Sequence, residues 1–256
     1  MAMLERLDEV LKSYGPFAVA LSGGTDSSVL LAYAHGLGLR VMGISVDTGM
    51  SPPGELEAAE RLAAGLGVPY TLVRQEMLSI PEVQENLPNR CYVCKREMMR
   101  AIIREAKRYG YMVVADGTHA GDLPGDRPGM AALRELGIVS PFAEVGMDKD
   151  DIVTLAAVLK IPVHPPSSCL ATRIPAGSPL TRECLEMVGR AETLLRGVVA
   201  GMLRVRCVGR RAFIEADPAE HPLILPLLPE IKRLGFTDAV LVPGGYRQGG
   251  ADAWKR

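Results

Sequence analysis

The 256-residue chain is 48% hydrophobic and has a formal net charge of −1, so it can bury a sizeable core and shows no bulk charge suited to nucleic acid. No apolar run approaches the ~20 residues of a membrane-spanning helix, and the first residues lack a secretory signal pattern. We therefore expect a cytoplasmic protein with no membrane and no nucleic-acid partner. Five cysteines, an odd number, favour metal or thiol chemistry over a disulfide framework.

Apolar runs alternate with helical periodicity along the first two thirds of the chain. This alternation predicts an α/β domain with a parallel sheet, whose ligands bind beyond the carboxyl ends of the strands. The predicted elements are a helix over 4–14, a strand over 17–21, a helix after residue 25, a strand over 41–46, a helix over 53–66, a strand over 70–73, a helix over 94–109, a strand over 111–115 and a helix over 152–160.

A stretch rich in Pro and Gly, residues 175–179, indicates a domain boundary. We predict a first domain over 1–177 and a smaller α+β domain over 178–256 that binds substrate or mediates oligomerisation; we expect a homo-oligomer. The predicted elements of the second domain are a helix over 181–195, a hairpin of strands over 203–208 and 212–216, a helix over 223–234 and a strand over 239–242.

The loop after the first predicted strand combines two glycines with hydroxyl side chains. Gly23 and Gly24 have no side chain, so backbone N–H groups can approach a ligand closely. The helix that follows begins with unsatisfied N–H groups and partial positive charge, which suits an anion. A serine-rich helix cap without a ligand is the alternative interpretation.

The residues Ser22-Gly-Gly-Thr-Asp-Ser-Ser28 resemble the S-G-G-x-D-S loop of PP-loop ATPases, and no Lys-Ser or Lys-Thr closes them as in a mononucleotide P-loop. The resemblance implies that ATP binds, with Mg²⁺, and that an acceptor oxygen is adenylated with loss of pyrophosphate. Asp26 is expected to hold Mg²⁺ or to shape the loop, and Lys149 to reach a phosphate unless it is a helix cap or surface charge. The candidate ATP-binding residues are Ser22, Gly23, Gly24, Thr25, Asp26, Ser27, Ser28, Asp47, Asp116 and Lys149.

Three cysteines lie in or next to irregular stretches. Cys91 and Cys94 form a C-x-x-C before a predicted helix, a spacing that redox pairs, zinc sites and iron–sulfur sites share. Cys169 follows much later and could be a small buried residue. Cys184 and Cys207 interrupt apolar patterns and are expected to be small buried residues.

The residues Asn86-Leu-Pro-Asn-Arg-Cys-Tyr-Val-Cys-Lys95 and Ser168-Cys-Leu-Ala-Thr-Arg-Ile-Pro175 resemble two motifs of LarE-type sacrificial sulfur transferases, and the similarity extends over essentially the whole chain, including 126–129 and 204–206. In that family ATP adenylates a carboxylate of a pyridinium nucleotide, the precursor of a nickel-pincer cofactor. The cysteine matching Cys169 supplies the sulfur, and in some members it is left as dehydroalanine.

Other members of the family carry a C-x-x-C and the third cysteine, and they hold a 4Fe–4S cluster that passes on a bound sulfur. The resemblance therefore implies Cys91, Cys94 and Cys169 as cluster ligands, a small-molecule nucleotide acceptor, and sulfide or another sulfur donor. It also makes Cys169, Asp26 and Arg173 candidate catalytic residues. Three thiolates leave one iron open, whereas a structural zinc would require four ligands; a catalytic zinc stays possible.

Arg204 and Arg206 alternate along a predicted strand and therefore point to one face. Two guanidinium groups together can clamp a phosphate, and Glu215 on the partner strand can orient one of them. Spacing alone favours ordinary surface arginines, whereas the family resemblance favours the phosphate of the substrate.

The chain departs from the family pattern in two places, at 116–122 and at 242–250. The family sequence D-G-T-N-A-D-D is replaced by Asp116-Gly-Thr-His-Ala-Gly-Asp122, and an acid and a hydroxyl are lost near the C-terminus. Because of these departures, the sequence defines the class of reaction more closely than it defines the acceptor. The alternatives are a tRNA-thiolating PP-loop enzyme with a 4Fe–4S cluster and an AMP-forming amide ligase.

Overall fold

The computed structural model describes residues 2–123, 128–165 and 167–247. The strands are β1 (Phe17–Ala20), β2 (Val41–Asp47), β3 (Tyr70–Arg74), β4 (Val113–Ala115), β5 (Arg204–Val208), β6 (Arg211–Glu215) and β7 (Asp238–Leu241). The α-helices are α1 (Ala2–Ser13), α2 (Thr25–Gly36), α3 (Glu55–Leu66), α4 (Pro81–Gln84), α5 (Arg90–Arg108), α6 (Pro128–Glu135), α7 (Pro141–Glu144), α8 (Lys149–Leu159), α9 (Arg182–Arg196), α10 (His221–Ile224) and α11 (Leu228–Arg233).

The chain divides into two compact units, and each consists of several segments. The first unit comprises 1–48, 54–75 and 91–164, and the second comprises 49–53, 76–90 and 165–256. The sequence instead places one boundary after residue 177. The structure thus assigns the Pro/Gly-rich stretch and two earlier segments to the second unit.

The first unit is a parallel sheet in the order β3-β2-β1-β4. Alternate residues of β1 face opposite layers, as expected for a buried central strand. Phe17 and Val19 join a core with α1, α2, α3 and α8, whereas Ala18 joins one with α5 and α6. Helices therefore cover both faces, which confirms the predicted α/β class.

The order of the strands determines where the first unit can bind a ligand. β2 lies on one side of β1 and β4 lies on the other, so the chain changes direction across the sheet at β1. In open α/β sheets, ligands bind beyond the carboxyl ends of the strands at such a point. The loop at Ser22 follows β1 directly.

The second unit contains a sheet in the order β5-β6-β7. β5 and β6 form the predicted antiparallel hairpin, and β7 adds in parallel to β6. The expected single helix over 223–234 is wrong. Pro222, Pro226 and Pro229 remove backbone donors, and the segment forms α10, a 3₁₀ turn over Leu225–Leu227 and α11.

Two further segments tie the second unit together. Asn86, which is buried with φ of 56°, donates from Nδ2 to the Pro175 carbonyl at 2.9 Å. The amide of Gly177 donates to the Asn86 carbonyl at 2.9 Å, and that of Leu180 donates to Gln84 at 2.6 Å. The stretch that resembles a linker is therefore held to the segment around residue 86.

Candidate functional site

The Ser22–Ser28 loop joins the carboxyl end of β1 to α2, as the sequence predicts. The Ser27 hydroxyl is central to it: it accepts from the Ser22 amide at 3.2 Å and lies 3.1 Å from the Ser22 hydroxyl. The N-cap residue of α2 is Gly24, which makes no side-chain cap hydrogen bond. The N-terminus of α2 is therefore suited to an anionic ligand, and the serine-cap alternative is not what the structure shows at this position.

Two glycines allow close backbone packing around this loop. Gly23 has φ of 85°, and a Cβ there would lie 1.9 Å from the Glu55 carbonyl oxygen at the start of α3. At Gly117, after β4, a Cβ would lie 2.7 Å from the Ser27 amide nitrogen. Neither position accepts a side chain without backbone movement. The sequence pointed to Gly23, but it gave no comparable signal for Gly117.

Lys149 and Asp26 form an ion pair across this site. Asp26 is the second residue of α2, and Lys149 is the first residue of α8, after an Asp148 cap that accepts from the Asp150 and Asp151 amides. The sequence predicted both side chains as ATP-binding residues. The structure brings them together in the first unit, and Thr25 also has a partner there, the His164 amide at 3.1 Å.

The two carboxylates at strand ends differ in environment. Asp116, after β4, is buried and accepts from the Ser140 and Thr118 hydroxyls, each at 2.7 Å, and from the Thr118 amide at 3.2 Å. Asp47 ends β2 and is partly exposed. Asp116 therefore organises the turn after β4, while Asp47 lies at the carboxyl end of β2.

Cys91 and Cys94 lie in the first two turns of α5, not before a helix. The helix begins at Arg90, four residues earlier than the sequence indicates. Their spacing of three residues places both thiols on one face of the helix. Cys91 is exposed and Cys94 partly exposed, with the Cys94 thiol 3.7 Å from the Met98 sulfur. Both sulfurs thus lie near the start of the helix.

Cys169 begins a 3₁₀ turn, Leu170–Arg173, in the second unit. The amide of Leu170 donates to the Met50 carbonyl at 2.8 Å, and that of Thr172 donates to the Cys169 carbonyl at 3.0 Å. The Cys169 side chain is partly exposed. Hydrogen bonds therefore fix the backbone of the turn that carries Cys169.

Arg173 organises that turn from within. It is 1% exposed, and its Nη1 donates to the Ser168 carbonyl at 2.7 Å, the Cys169 carbonyl at 3.2 Å and the Thr172 hydroxyl at 2.9 Å. Nε and Nη2 donate to the two carboxylate oxygens of Glu192 at 2.9 and 3.0 Å. Because the guanidinium is paired on both edges, the structure supports a positioning role rather than contact with a substrate anion.

The sequence reasoning missed Glu192. It lies on α9 among the buried residues Ala191 and Leu195, and its Oε1 also accepts from the Val205 amide at 3.0 Å. An acidic residue on the apolar face of a predicted helix was the available signal, since charged groups are seldom buried without a partner.

Arg204 and Arg206 are buried, at 4% exposure each, so the interpretation as surface arginines is wrong. Arg206 donates from Nε and Nη2 to one oxygen of Glu215, at 3.1 and 2.9 Å, and from Nη1 to the Thr172 carbonyl at 3.0 Å. Arg204 donates to the Leu203 carbonyl at 2.7 Å and stacks on Tyr246. Burial, and then the nearby Arg173, lower the pKa of Arg204.

These residues form one buried network, here called the arginine network: Arg173, Arg204, Arg206, Glu192 and Glu215. It has three positive and two negative side chains, and buried charges of this kind require partners. All five residues belong to the second unit.

In the described ranges, no three His, Cys, Asp or Glu side chains are arranged as a metal site. Cys91 and Cys94 belong to the first unit and Cys169 to the second. The three-cysteine ligand set therefore stays a prediction. Asp126 and Arg127, part of one matching motif, and residues 248–250, part of another, lie outside the described residues. Within the same ranges, no helix has the length and apolarity needed to cross a bilayer.

Comparisons with known proteins agree with this geometry. The profile of a family described as "Queuosine biosynthesis protein QueC" matches residues 17–105, which include the Ser22–Ser28 loop and the C-x-x-C. An uncharacterized protein of Synechocystis sp. is 32% identical over 255 residues, 96% of this chain and 95% of its own. An uncharacterized protein of Methanocaldococcus jannaschii is 37% identical over 142 residues, 56% of each chain.

A relative with a named activity is the pyridinium-3,5-bisthiocarboxylic acid mononucleotide synthase of Lactiplantibacillus plantarum. It is 30% identical over 247 residues, which cover 93% of this chain and 90% of the relative. The parallel sheet and its glycine–hydroxyl loop define a PP-loop ATPase. More narrowly, the chain belongs to the LarE-type family of that superfamily, and it is an ATP-dependent sulfur transferase.

Proposed function

We propose that the chain adenylates a carboxylate of a nucleotide acceptor, releases pyrophosphate and transfers sulfur to the activated carbon. The observation that carries the proposal is the position of the Ser22–Ser28 loop at the carboxyl end of β1. The loop leads into α2, whose N-cap residue, Gly24, makes no side-chain hydrogen bond to the helix. A pyridinium carboxylate mononucleotide is the acceptor class that we infer from the Lactiplantibacillus plantarum relative.

In this proposal, ATP opens the ion pair between Lys149 and Asp26. The phosphates would lie at the N-terminus of α2, where backbone N–H groups and hydroxyl donors can bind them. Lys149 would then pair with a phosphate, and Asp26 would become a ligand of Mg²⁺, which prefers carboxylate and phosphate oxygens. Both charges are thus already present and paired before the nucleotide arrives.

The arginine network supports binding of the acceptor's phosphate in the second unit. Arg204 and Arg206 alternate along β5, so two guanidinium groups can bind one phosphate together. Arg206 is oriented by Glu215, and Arg173 is held by Glu192. Glu215 orients Arg206, and Arg173 holds the turn that carries Cys169.

Sulfur transfer is proposed to depend on Cys91, Cys94 and Cys169. Three partly or fully accessible thiols are a donor set that suits a 4Fe–4S cluster with one iron open. When bound, the cluster would supply a transferable sulfide; Cys169 is the alternative source. The chain's part is to keep the Cys169 turn in place through Arg173 and to hold Cys91 and Cys94 near the start of α5.

The experiment that tests the adenylation step is product analysis by phosphorus NMR with the acceptor present. We expect AMP and pyrophosphate, because the loop lacks the lysine of a mononucleotide P-loop. Asp26→Ala should abolish turnover with the fold intact, and the exposed neighbour of Lys149, Asp150→Ala, should turn over normally. ADP and phosphate as products would contradict the proposal.

Cysteine substitutions test the sulfur step separately. Each Cys→Ala change at 91, 94 and 169 should remove iron, visible absorption and sulfur transfer together after anaerobic purification. Cys184→Ala should retain all three. If only Cys169→Ala blocks transfer, and the protein loses the mass of H₂S in one turnover, Cys169 is the sulfur source. Sulfur incorporation into tRNA would instead favour the tRNA-thiolating alternative.

A further inference from the structure

Two cysteines outside the proposed sulfur chemistry lie against each other in the second unit. The Cys184 thiol is 2.8 Å from the Cys207 sulfur, and no disulfide joins them. A second sulfur contact, between Cys94 and Met98, is longer, at 3.7 Å. A disulfide bond requires about 2.05 Å between sulfurs. The Cys184–Cys207 separation lies between these two distances, so the two sulfurs need little movement to bond.

The backbone fixes each cysteine independently. Cys184 is the third residue of α9, and its amide donates to the Thr181 hydroxyl at 3.1 Å. Cys207 lies on β5 opposite Ala212 in the hairpin and is 3% exposed. The helix start and the strand therefore hold the two sulfurs together from 23 residues apart in sequence.

The charged groups around the pair are Arg210 and Glu183. They form an ion pair with each other at 2.9 Å, and both side chains are exposed. The hydrogen bond from Cys184 lowers the pKa of Cys207, and a backbone hydrogen bond from Arg210 acts in the same direction. The same pairing, together with burial, raises the pKa of Cys184. Of the two thiols, Cys184 is the more exposed.

We propose that Cys184 and Cys207 are a reversible dithiol–disulfide pair, oxidised by a small-molecule disulfide such as oxidised glutathione. The partly exposed Cys184 loses its thiol proton and attacks one sulfur of the oxidant, which forms a mixed disulfide and releases one glutathione thiolate. Cys207 then loses its own proton, attacks the Cys184 sulfur and displaces the second glutathione thiolate. The two protons lost by the cysteines protonate the two glutathione thiolates, so one disulfide is reduced as one is formed.

The bond would join α9 covalently to β5. Helix α9 also carries Glu192, which binds Arg173 and the Val205 amide, and β5 carries Arg204 and Arg206. Oxidation would therefore fasten together two elements that share the arginine network. The pair requires neither ATP nor a metal, so its behaviour is separable from the proposed catalysis.

The test is peptide mapping of the intact chain after treatment with oxidised glutathione and alkylation of the remaining thiols under denaturing conditions. We expect a linked peptide pair containing Cys184 and Cys207, lighter by two hydrogens, at roughly tenfold excess over any other linkage of either residue. Dithiothreitol should reverse it, and the oxidised protein should unfold at a higher temperature than the reduced protein.

A Cys207→Ala variant gives the matched control. It should accumulate glutathione on Cys184, because the resolving thiolate is missing, and should show no shift in unfolding temperature. The proposal is overturned if the wild-type chain accumulates glutathione on Cys184, if both cysteines remain alkylatable after oxidation, or if either pairs mainly with another cysteine. The wild-type mapping decides the question even if the variant does not fold.

Discussion

The loop of the first unit consists mainly of backbone and small hydroxyl residues, whereas the arginine network of the second unit consists of long charged side chains. Gly23 packs its Cα directly against the Glu55 carbonyl, and the loop's hydrogen bonds run between hydroxyls and amides. In the network, Arg173 donates from Nε and Nη2 to both carboxylate oxygens of Glu192, and both side chains are almost fully buried. The loop is thus sensitive to added atoms, and the network is sensitive to lost charges.

Gly23→Ala should give the largest effect. Its methyl group would lie 1.9 Å from the Glu55 carbonyl oxygen, and its backbone would keep a positive φ. We expect the free energy of unfolding to fall by about 5 kcal/mol and ATP binding to be lost, measured by urea unfolding and calorimetry. Gly24→Ala is the control for stability alone, because its Cβ would meet only the Ser22 hydroxyl at 3.4 Å. Equal effects of the two would contradict the packing argument.

Glu192→Gln should destabilise the second unit next most strongly. The substitution leaves the buried guanidinium of Arg173 without its charged partner, which costs about 3–5 kcal/mol of unfolding free energy. Urea unfolding measures this loss. Glu186→Gln, on the exposed face of the same helix, should change stability by less than about 0.5 kcal/mol. A loss no larger than the control's would show that the pair is not tightly coupled.

Arg206→Lys keeps the charge but loses the donor geometry. One ammonium group cannot reproduce the contacts with Glu215, Thr172 and Arg247 together. We therefore expect the free energy of unfolding to fall by about 2 kcal/mol. We also expect the KM for the acceptor to rise while the KM for ATP stays unchanged. Steady-state kinetics with each substrate varied measures the split. Arg211→Lys, exposed on the same hairpin, should leave both KM values as they are. Equal increases in the KM values for the acceptor and for ATP would contradict a role of the network in acceptor binding.

Thr181→Ala should have a smaller effect, about 1 kcal/mol in thermal unfolding, because the hydroxyl that caps α9 through the Cys184 amide is removed. Thr181→Ser retains the cap and should be nearly neutral.

The smallest expected change is that of Glu76→Ala, which removes an exposed ion pair with Arg182 and should change the free energy of unfolding by no more than about 0.5 kcal/mol. If the cap variant matched Glu76→Ala, α9 would not depend on its first turn.

The first unit could be predicted from the sequence because its signals are local. Within about twenty residues, the sequence contains the apolar run of β1, the glycine pair that follows it and the helical periodicity of α2. The hairpin and the role of Glu215 beside Arg206 could also be predicted, because both follow from one short stretch of sequence. The burial of the two arginines could not, because it also depends on a separate helix, α9, whose Glu192 accepts from the Val205 amide. Gly117 shows the same limit, since the close approach it permits is to Ser27, far earlier in the chain.

The segmented second unit has a consequence for how the chain folds. Its parts are 49–53, 76–90 and 165–256, so the first two leave the ribosome long before their partners. The first unit has all of its residues once 164 has been synthesised, whereas Asn86 and its neighbours must wait for the carbonyl and amide groups of 175–180. Domains generally fold as units during synthesis. A fragment starting at residue 178 would therefore lack parts of its own unit, and a single cut cannot release either unit whole.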